Sequence, residues 1–264
     1  MMMKPRVIIP TGLGINSERE LRKAFEMAGA EVVYVLWNDI IKNPKIVDMY
    51  QGMGLAGGFA MGDHLGAGQS LANRIRASGL RDKLYEKIKD NGFPIYSVCN
   101  SLQIMGKLDL FPVEVGTTFN DSGKHETGFW DLAVNPENDS IWLSQLKNYQ
   151  GPIFAPISHG EGRVVLDDEN LRKARELNLI ALTYIDGHIC DFYRSSRGDR
   201  YNPNGSIADI AGFAWANNLV LFPHFERLLM NVQRPDRAQL QSSEGVYMPT
   251  QLIFRPAVEF MKGK

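Results

Sequence analysis

The sequence predicts an α/β protein: a central, mostly parallel but mixed sheet flanked by helices. Short apolar runs alternate with helical patterns through the first half of the chain, an order that favours parallel pairing through right-handed crossovers. Glycine clusters and a cysteine fall directly after such runs, where open α/β sheets bind ligands at the carboxyl ends of their strands. The 264 residues are enough to bury a sizeable core, and one domain over residues 1–264 is expected.

RVIIP (6–10) reads as the first strand. Ser17 and Glu20 make a capping box, Ser17 at N-cap and Glu20 at N3, opening a helix through Met27. EVVYVLW (31–37) is the second strand, GMGLAG (52–57) the third, and residues 80–91 a helix. PIYSV (94–98) is a buried strand running into a helical pattern, NSLQIMGKL (100–108). The second half is less regular. WDLAV (130–134), PIFAPIS (152–158), GRVVL (162–166) and LIALTYI (179–185) are strand candidates, with a helix over 168–177. Residues 186–206 are polar, with turn formers and arginines, and read as a long surface excursion. NNLVLFPH is a last apolar strand. The tail from Arg234 carries few long apolar periods until QLIFRPAVEF.

Lys and Arg number 29 against 30 Asp and Glu, which leaves no basic field for nucleic acid. No apolar run approaches transmembrane length, and the opening MMMKPRVIIP lacks the pattern of a secretory signal. Neither DNA, RNA nor membrane is an expected partner. The two cysteines allow at most one bridge, and a reducing cytoplasm is the expected compartment.

Cys99 stands at the junction of strand and helix, where the macrodipole and free backbone N–H groups favour thiolate. Downstream, His224 closes an apolar strand and would supply a base, with Glu226 two residues on to orient it. Segment 54–72, GLAGGFAMGDHLGAGQSLA, lets backbone amides approach a ligand closely. Backbone N–H groups of Asn100 and of the Gly57–Gly58 turn would then hold an oxyanion. Together these residue types point to acyl transfer. The P-loop pattern is absent, and Gly12, Gly14 and Ser17 make only a truncated dinucleotide fingerprint. The histidines show no metal-ligand spacing. His159, glycine-flanked in PISHGEGR, would be exposed and mobile with Glu161 unless used.

These motifs resemble class I (triad) glutamine amidotransferases, which have a flavodoxin-like fold. Within them the chain is most similar to the glutaminase subunits of phosphoribosylformylglycinamidine synthases. The resemblance lies in AGGFAMGDHLGAG (56–68), VCNSLQIM (98–105), PISHGEGR (156–163), NPNGSIADIAG (202–212) and LFPHFER (221–227). It implies Cys99 as nucleophile, His224 as general base and Glu226 as orienting acid, with Gly58 and Asn100 as oxyanion donors. Gln103, His159 and Glu161 are implied near the substrate, L-glutamine. It further implies that ammonia passes to a synthetase subunit, which converts formylglycinamide ribonucleotide to its amidine, with a small third subunit bridging the two. This chain needs no cofactor on that reading, since ATP and Mg belong to the synthetase. Ser97 and Ser101 stand where the family usually has glycine, and Phe225 where it has proline. A stand-alone Cys-dependent hydrolase of a related flavodoxin-like family, and a non-catalytic subunit, remain alternatives.

Overall fold

The computed structural model describes residues 3–89 and 92–263. The first half runs β1 (Arg6–Thr11), α1 (Glu18–Met27), β2 (Glu31–Leu36), α2 (Trp37–Lys42), β3 (Gly52–Leu55), α3 (Gln69–Ala77), α4 (Leu80–Lys89), β4 (Ile95–Val98) and α5 (Asn100–Lys107). The second half runs β5 (Gly116–Thr118), β6 (Glu126–Val134), β7 (Phe154–His159), β8 (Arg163–Val165), α6 (Asp168–Glu176), β9 (Ile180–Tyr184), α7 (His188–Arg197), β10 (Ile210–Trp215), β11 (Asn218–Leu221) and α8 (Met248–Lys262).

Nine strands form one sheet in the order β2-β1-β3-β4-β11-β10-β9-β6-β7, while β5 and β8 pair separately. The run from β2 to β11 is parallel. Beyond it every pairing is antiparallel, so only β10 and β6 oppose the rest. The carboxyl ends of β3, β4, β11, β9 and β7 therefore share one end of the sheet. The mixed, mostly parallel sheet is the one the sequence predicts.

Several elements depart from expectation. Helix 80–91 is observed as α4 to Lys89, and residues 90 and 91 lie outside the described residues. The polar excursion at 186–206 is not all loop. Its first part is α7, with Ile189 and Cys190 buried and the Cys190 amide donating to the buried Asp131 Oδ2 at 2.8 Å. A one-sided apolar face hidden in a polar composition accounts for the difference. The capping box at Ser17 does not form, because Ser17 makes no side-chain cap bond; its hydroxyl accepts the Gly57 amide at 2.9 Å. Helices α2, α3 and α8 and strands β5 and β10 lie outside the elements the sequence predicts. In α8, Pro249 falls in the first turn, where a missing N–H costs little, but Pro256 interrupts the helical reading from inside.

Under β4, Tyr96 joins Phe25, Trp142 and Phe254 in a buried aromatic cluster. Tyr96 stacks at 4.8 Å from Phe254 and 5.6 Å from Trp142, and Phe25 meets Phe254 edge-on at 5.1 Å. The Trp142 indole N–H is satisfied by the Asn217 carbonyl at 2.9 Å. Helix α8 thus closes the core below the strand that carries the cysteine. Its Thr250 hydroxyl reaches the Phe225 and Leu228 carbonyls at 3.0 and 2.6 Å, pinning the turn after β11. Phe254→Ala should destabilise the protein by about 3–5 kcal/mol, read as a lower urea midpoint. Truncating the exposed Phe119 should change stability by less than about 0.5 kcal/mol.

Candidate active site

Strand β4 lies between β3 and β11, with Leu55 opposite Ser97 and Leu221 opposite Val98. One residue further, the Cys99 amide donates to the Leu221 carbonyl at 2.7 Å, and the chain turns into α5. Cys99 holds φ 56° and ψ −113°, the strained elbow expected of a nucleophile at a strand–helix junction. Such backbone strain costs about 1–3 kcal/mol and persists only where the surroundings hold it. Both serines that replace glycine around the elbow are accommodated. Ser97 Oγ meets Met105 Sδ at 2.9 Å, and Ser101 Oγ donates to the Ala56 carbonyl at 2.7 Å. The second bond ties α5 to the end of β3.

The neighbouring strand ends bring the other groups in. A side-chain carbon at Gly57 would lie 2.9 Å from His224 Cε1 and 3.2 Å from Cys99 Cβ, so only glycine lets the imidazole and the thiol sit side by side there. Cys99 Sγ is 3.6 Å from the Ser158 carbonyl, and His224 Nε2 is buried without a hydrogen-bond partner. His224 is held through its amide, which donates to the Pro156 carbonyl at 2.7 Å, and through Nδ1, 2.5 Å from Glu226 Oε1. Tyr96 donates its hydroxyl to Glu226 Oε2 at 3.2 Å. Burial opposes charge on His224, but the Glu226 carboxylate and the Cys99 side chain outweigh it and raise the imidazole to about 9.

Gly58 follows on the β3 side. The loop 12–17 is stitched to this segment by Asn16 N–H to the Gly57 carbonyl at 3.0 Å and Phe59 N–H to the Gly14 carbonyl at 2.9 Å. That pairing, rather than a dinucleotide turn, explains Gly14 and Ser17. The Gly58 and Asn100 amides have no protein acceptor among the described residues. Gly58 lines a cavity of about 150 Å³ together with Cys99, Asp63, Gln103, His159 and Glu161.

The remaining predicted residues form the wall of this cavity. Gln103 accepts from Asn100 Nδ2 at 2.9 Å and donates to the Glu161 carbonyl at 2.7 Å, leaving one N–H and one lone pair uncommitted. Glu161 is half-buried and takes the Ala67 amide on Oε2 at 3.4 Å. His159 departs from expectation: it ends β7, is only 3% exposed, and packs against Phe222 with ring centroids 5.1 Å apart. Asn120 Oδ1 receives the Gly162 amide at 3.0 Å and lies 3.2 Å from His159 Nδ1, while its Nδ2 donates to the Lys124 and His159 carbonyls. Those partners orient the Asn120 amide and place the His159 proton on Nδ1. Any side chain at Gly162 would collide with the ring, 2.2 Å from Nδ1. Burial and the nearby His224 push His159 down to about 3, so it is neutral at physiological pH.

Sequence reasoning missed Ser17, Tyr96, Asp63, Asn120 and Thr250. Ser17 carried a helix-cap signal that masked its bond to Gly57. Tyr96 and Glu226 are separated by 130 residues, and no local pattern links them.

The geometry is matched by relatedness. Residues 4–261 match the CobB/CobQ-like glutamine amidotransferase domain. The chain is 31% identical to the phosphoribosylformylglycinamidine synthase subunit PurQ of Methanococcus maripaludis, over 97% of each chain. It is 32% identical to the PurQ subunit of Dehalococcoides mccartyi, over 89% of each. Among solved structures, PurLQS from Thermotoga maritima superposes with a TM-score of 0.68 at 25% identity, covering 98% of this chain and 99% of that one. The chain belongs to the CobB/CobQ-like glutamine amidotransferase family, and the family resemblance read from its motifs is borne out.

The two buried histidines give stability a two-sided pH dependence. His224 is raised to about 9 from its ordinary 6.5, so its contribution is full below pH 6.5 and is lost as pH rises through 9. His159 is lowered to about 3, so stability falls as pH drops below 6.5, where only the unfolded chain takes up the proton. Urea midpoints measured across pH should fall on both sides. His224→Asn should flatten the alkaline limb and His159→Asn the acid limb.

Proposed function

We propose that this glutamine amidotransferase hydrolyses L-glutamine to glutamate and ammonia and supplies the ammonia to a synthetase subunit that makes formylglycinamidine ribonucleotide in purine biosynthesis. The observation that carries the reading is the elbow of Cys99, flanked on adjacent strands by the Gly57–Gly58 turn and the His224–Glu226 pair. The Cys99 thiolate attacks the side-chain carbonyl carbon, and the negative oxygen is held by the Gly58 and Asn100 amides. His224, protonated and paired with Glu226, gives its proton to the leaving nitrogen as the carbon–nitrogen bond breaks. Water then attacks the thioester, and the same imidazole removes its proton, releasing glutamate and regenerating the thiolate. Tyr96 and Thr250 hold the Glu226 turn in place, and Gln103, His159 and Glu161 shape the substrate cavity.

The partner is the kind of synthetase with which the PurQ relatives and the PurLQS assembly are named, together with its small third subunit. Phe59 and Phe119, on the cavity rim, are 51% and 67% exposed, apolar surface that a docking subunit would cover. No cofactor is needed on this chain; ATP and Mg act on the synthetase. The free thiols of Cys99 and Cys190 suit a reducing cytoplasm. Against a non-catalytic subunit, both departing serines are hydrogen-bonded and the elbow is kept.

Cys99→Ala should abolish glutamate release from glutamine while leaving the urea midpoint nearly unchanged. Unchanged turnover would defeat the assignment. Adding the synthetase and its nucleotide substrates should raise glutaminase activity at least about tenfold, equivalent to about 1.4 kcal/mol. No stimulation by any such synthetase would favour the stand-alone hydrolase.

A further inference from the structure

We propose that Ser17 and Ser101 are positioning residues that grip the Ala56–Gly57 peptide from two sides and so aim the Gly58 amide at the oxygen of the reacting carbonyl. The inference deepens the glutaminase reading above and rests on it. The two serines come from distant segments, the residue before α1 and the first turn of α5, and both are buried. Neither belongs to the lining of the cavity beside Cys99. Ser101 Oγ donates to the Ala56 carbonyl at 2.7 Å, and the Gly57 amide donates to Ser17 Oγ at 2.9 Å. Both polar groups of one peptide unit are therefore held by side chains, one from each neighbouring segment.

The next peptide unit carries the Gly58 N–H. Its carbonyl, that of Gly57, accepts the Asn16 amide at 3.0 Å and the Ser17 amide at 3.4 Å. In a trans peptide the N–H points opposite to the C=O, so the Gly58 N–H is directed away from loop 12–17. Beyond it, Phe59 N–H donates to the Gly14 carbonyl at 2.9 Å and Ala60 N–H to Asn100 Oδ1 at 3.0 Å. Along 57–60, only the Gly58 amide lacks a protein acceptor among the described residues, and Gly58 lines the cavity with Cys99. A side-chain carbon at Gly58 would stand 2.5 Å from the Gly14 carbonyl oxygen, so the loop approaches this closely only because the residue is glycine. Two glycines in succession leave the backbone its widest freedom, and the serine tethers remove it. Without the Ser17 hydroxyl the buried Gly57 N–H also loses its acceptor. An oxyanion donor acts through its direction, so a loosened Gly57 weakens the Gly58 amide without touching the nucleophile.

The test uses the full chain carrying Ser17→Ala or Ser101→Ala. It is assayed with L-glutamine, with p-nitrophenyl acetate, and with iodoacetamide as an alkylating probe of Cys99. Deleting an oxyanion donor outright costs about 100- to 1000-fold in kcat. Misaiming one costs less, and each variant should lose at least about tenfold in kcat with KM for glutamine held within about twofold. The part of ester hydrolysis that Cys99→Ala removes forms an oxyanion in the same place, and should fall in parallel. Alkylation of Cys99 is a displacement at a saturated carbon that forms no oxyanion, and should keep its rate within about twofold. Unchanged kcat in either variant, or a loss confined to KM, would overturn the proposal. So would a matching loss in alkylation, which would make the serines supports of the elbow instead. Should one variant fail to fold, the other decides the matter. Glutamine turnover untouched by both substitutions refutes only this inference. Ester hydrolysis through Cys99 without glutamine hydrolysis refutes only the glutaminase reading, and the ester series then decides the role of the serines. Absence of both activities from the unsubstituted chain overturns both.

Discussion

The hydrogen bond from the Cys99 amide to the Leu221 carbonyl, 2.7 Å long, is the constraint on which the site depends. It extends the parallel pairing of β4 and β11 to the last residue before the chain turns. The turn into α5 must then be made at Cys99 itself, with a positive φ that an L-residue adopts only under compulsion. The same register delivers Phe222, Pro223 and His224 alongside the cysteine. On the other flank β3 ends two residues earlier, and Gly57 leaves the space in which thiol and imidazole meet. Three strand ends thus converge without any of their residues being close in sequence.

Holding a strained residue and a charged pair in a dry interior requires that every neighbouring polar group be satisfied. Glu226 is fully buried, yet its two oxygens are taken by His224 and Tyr96. Tyr96 is itself locked in the aromatic cluster with Trp142 and Phe254, so core packing around that ring positions the acid its hydroxyl meets. The C-terminal helix contributes twice, with Phe254 in that cluster and Thr250 on the turn that carries Glu226. Packing and site geometry are therefore coupled through β4 and α8. Asn120 plays a comparable part on the β7 side, where one carboxamide sets both the Gly162 turn and the His159 tautomer.

The contrast between the two histidines follows from partners rather than burial. Both are almost fully enclosed. His224 has a carboxylate at 2.5 Å and is raised, whereas His159 has only a neutral amide at 3.2 Å and is lowered. A neutral His159 spares the protonated His224 a second positive charge.

Strand and helix alternation, the Cys99 junction and the PHFER segment were legible in the sequence because each is local: periodicity, a glycine run, a residue at an element boundary. They determined the α/β class, the mixed sheet and the identity of the three candidate catalytic groups. Local signals also misled, since Ser17 has the spacing of a helix cap and 186–206 the composition of a loop. What only the tertiary structure decided is which strand ends are neighbours. Strand order β3-β4-β11 is set by side-chain packing over the whole sheet, and no window of sequence contains it. That order turned Ser17 toward Gly57, brought Tyr96 to Glu226, buried His159 and gathered Asp63 and Glu161 into the lining of one cavity, because hydrogen-bond partners are assigned by distance in space and not by separation along the chain.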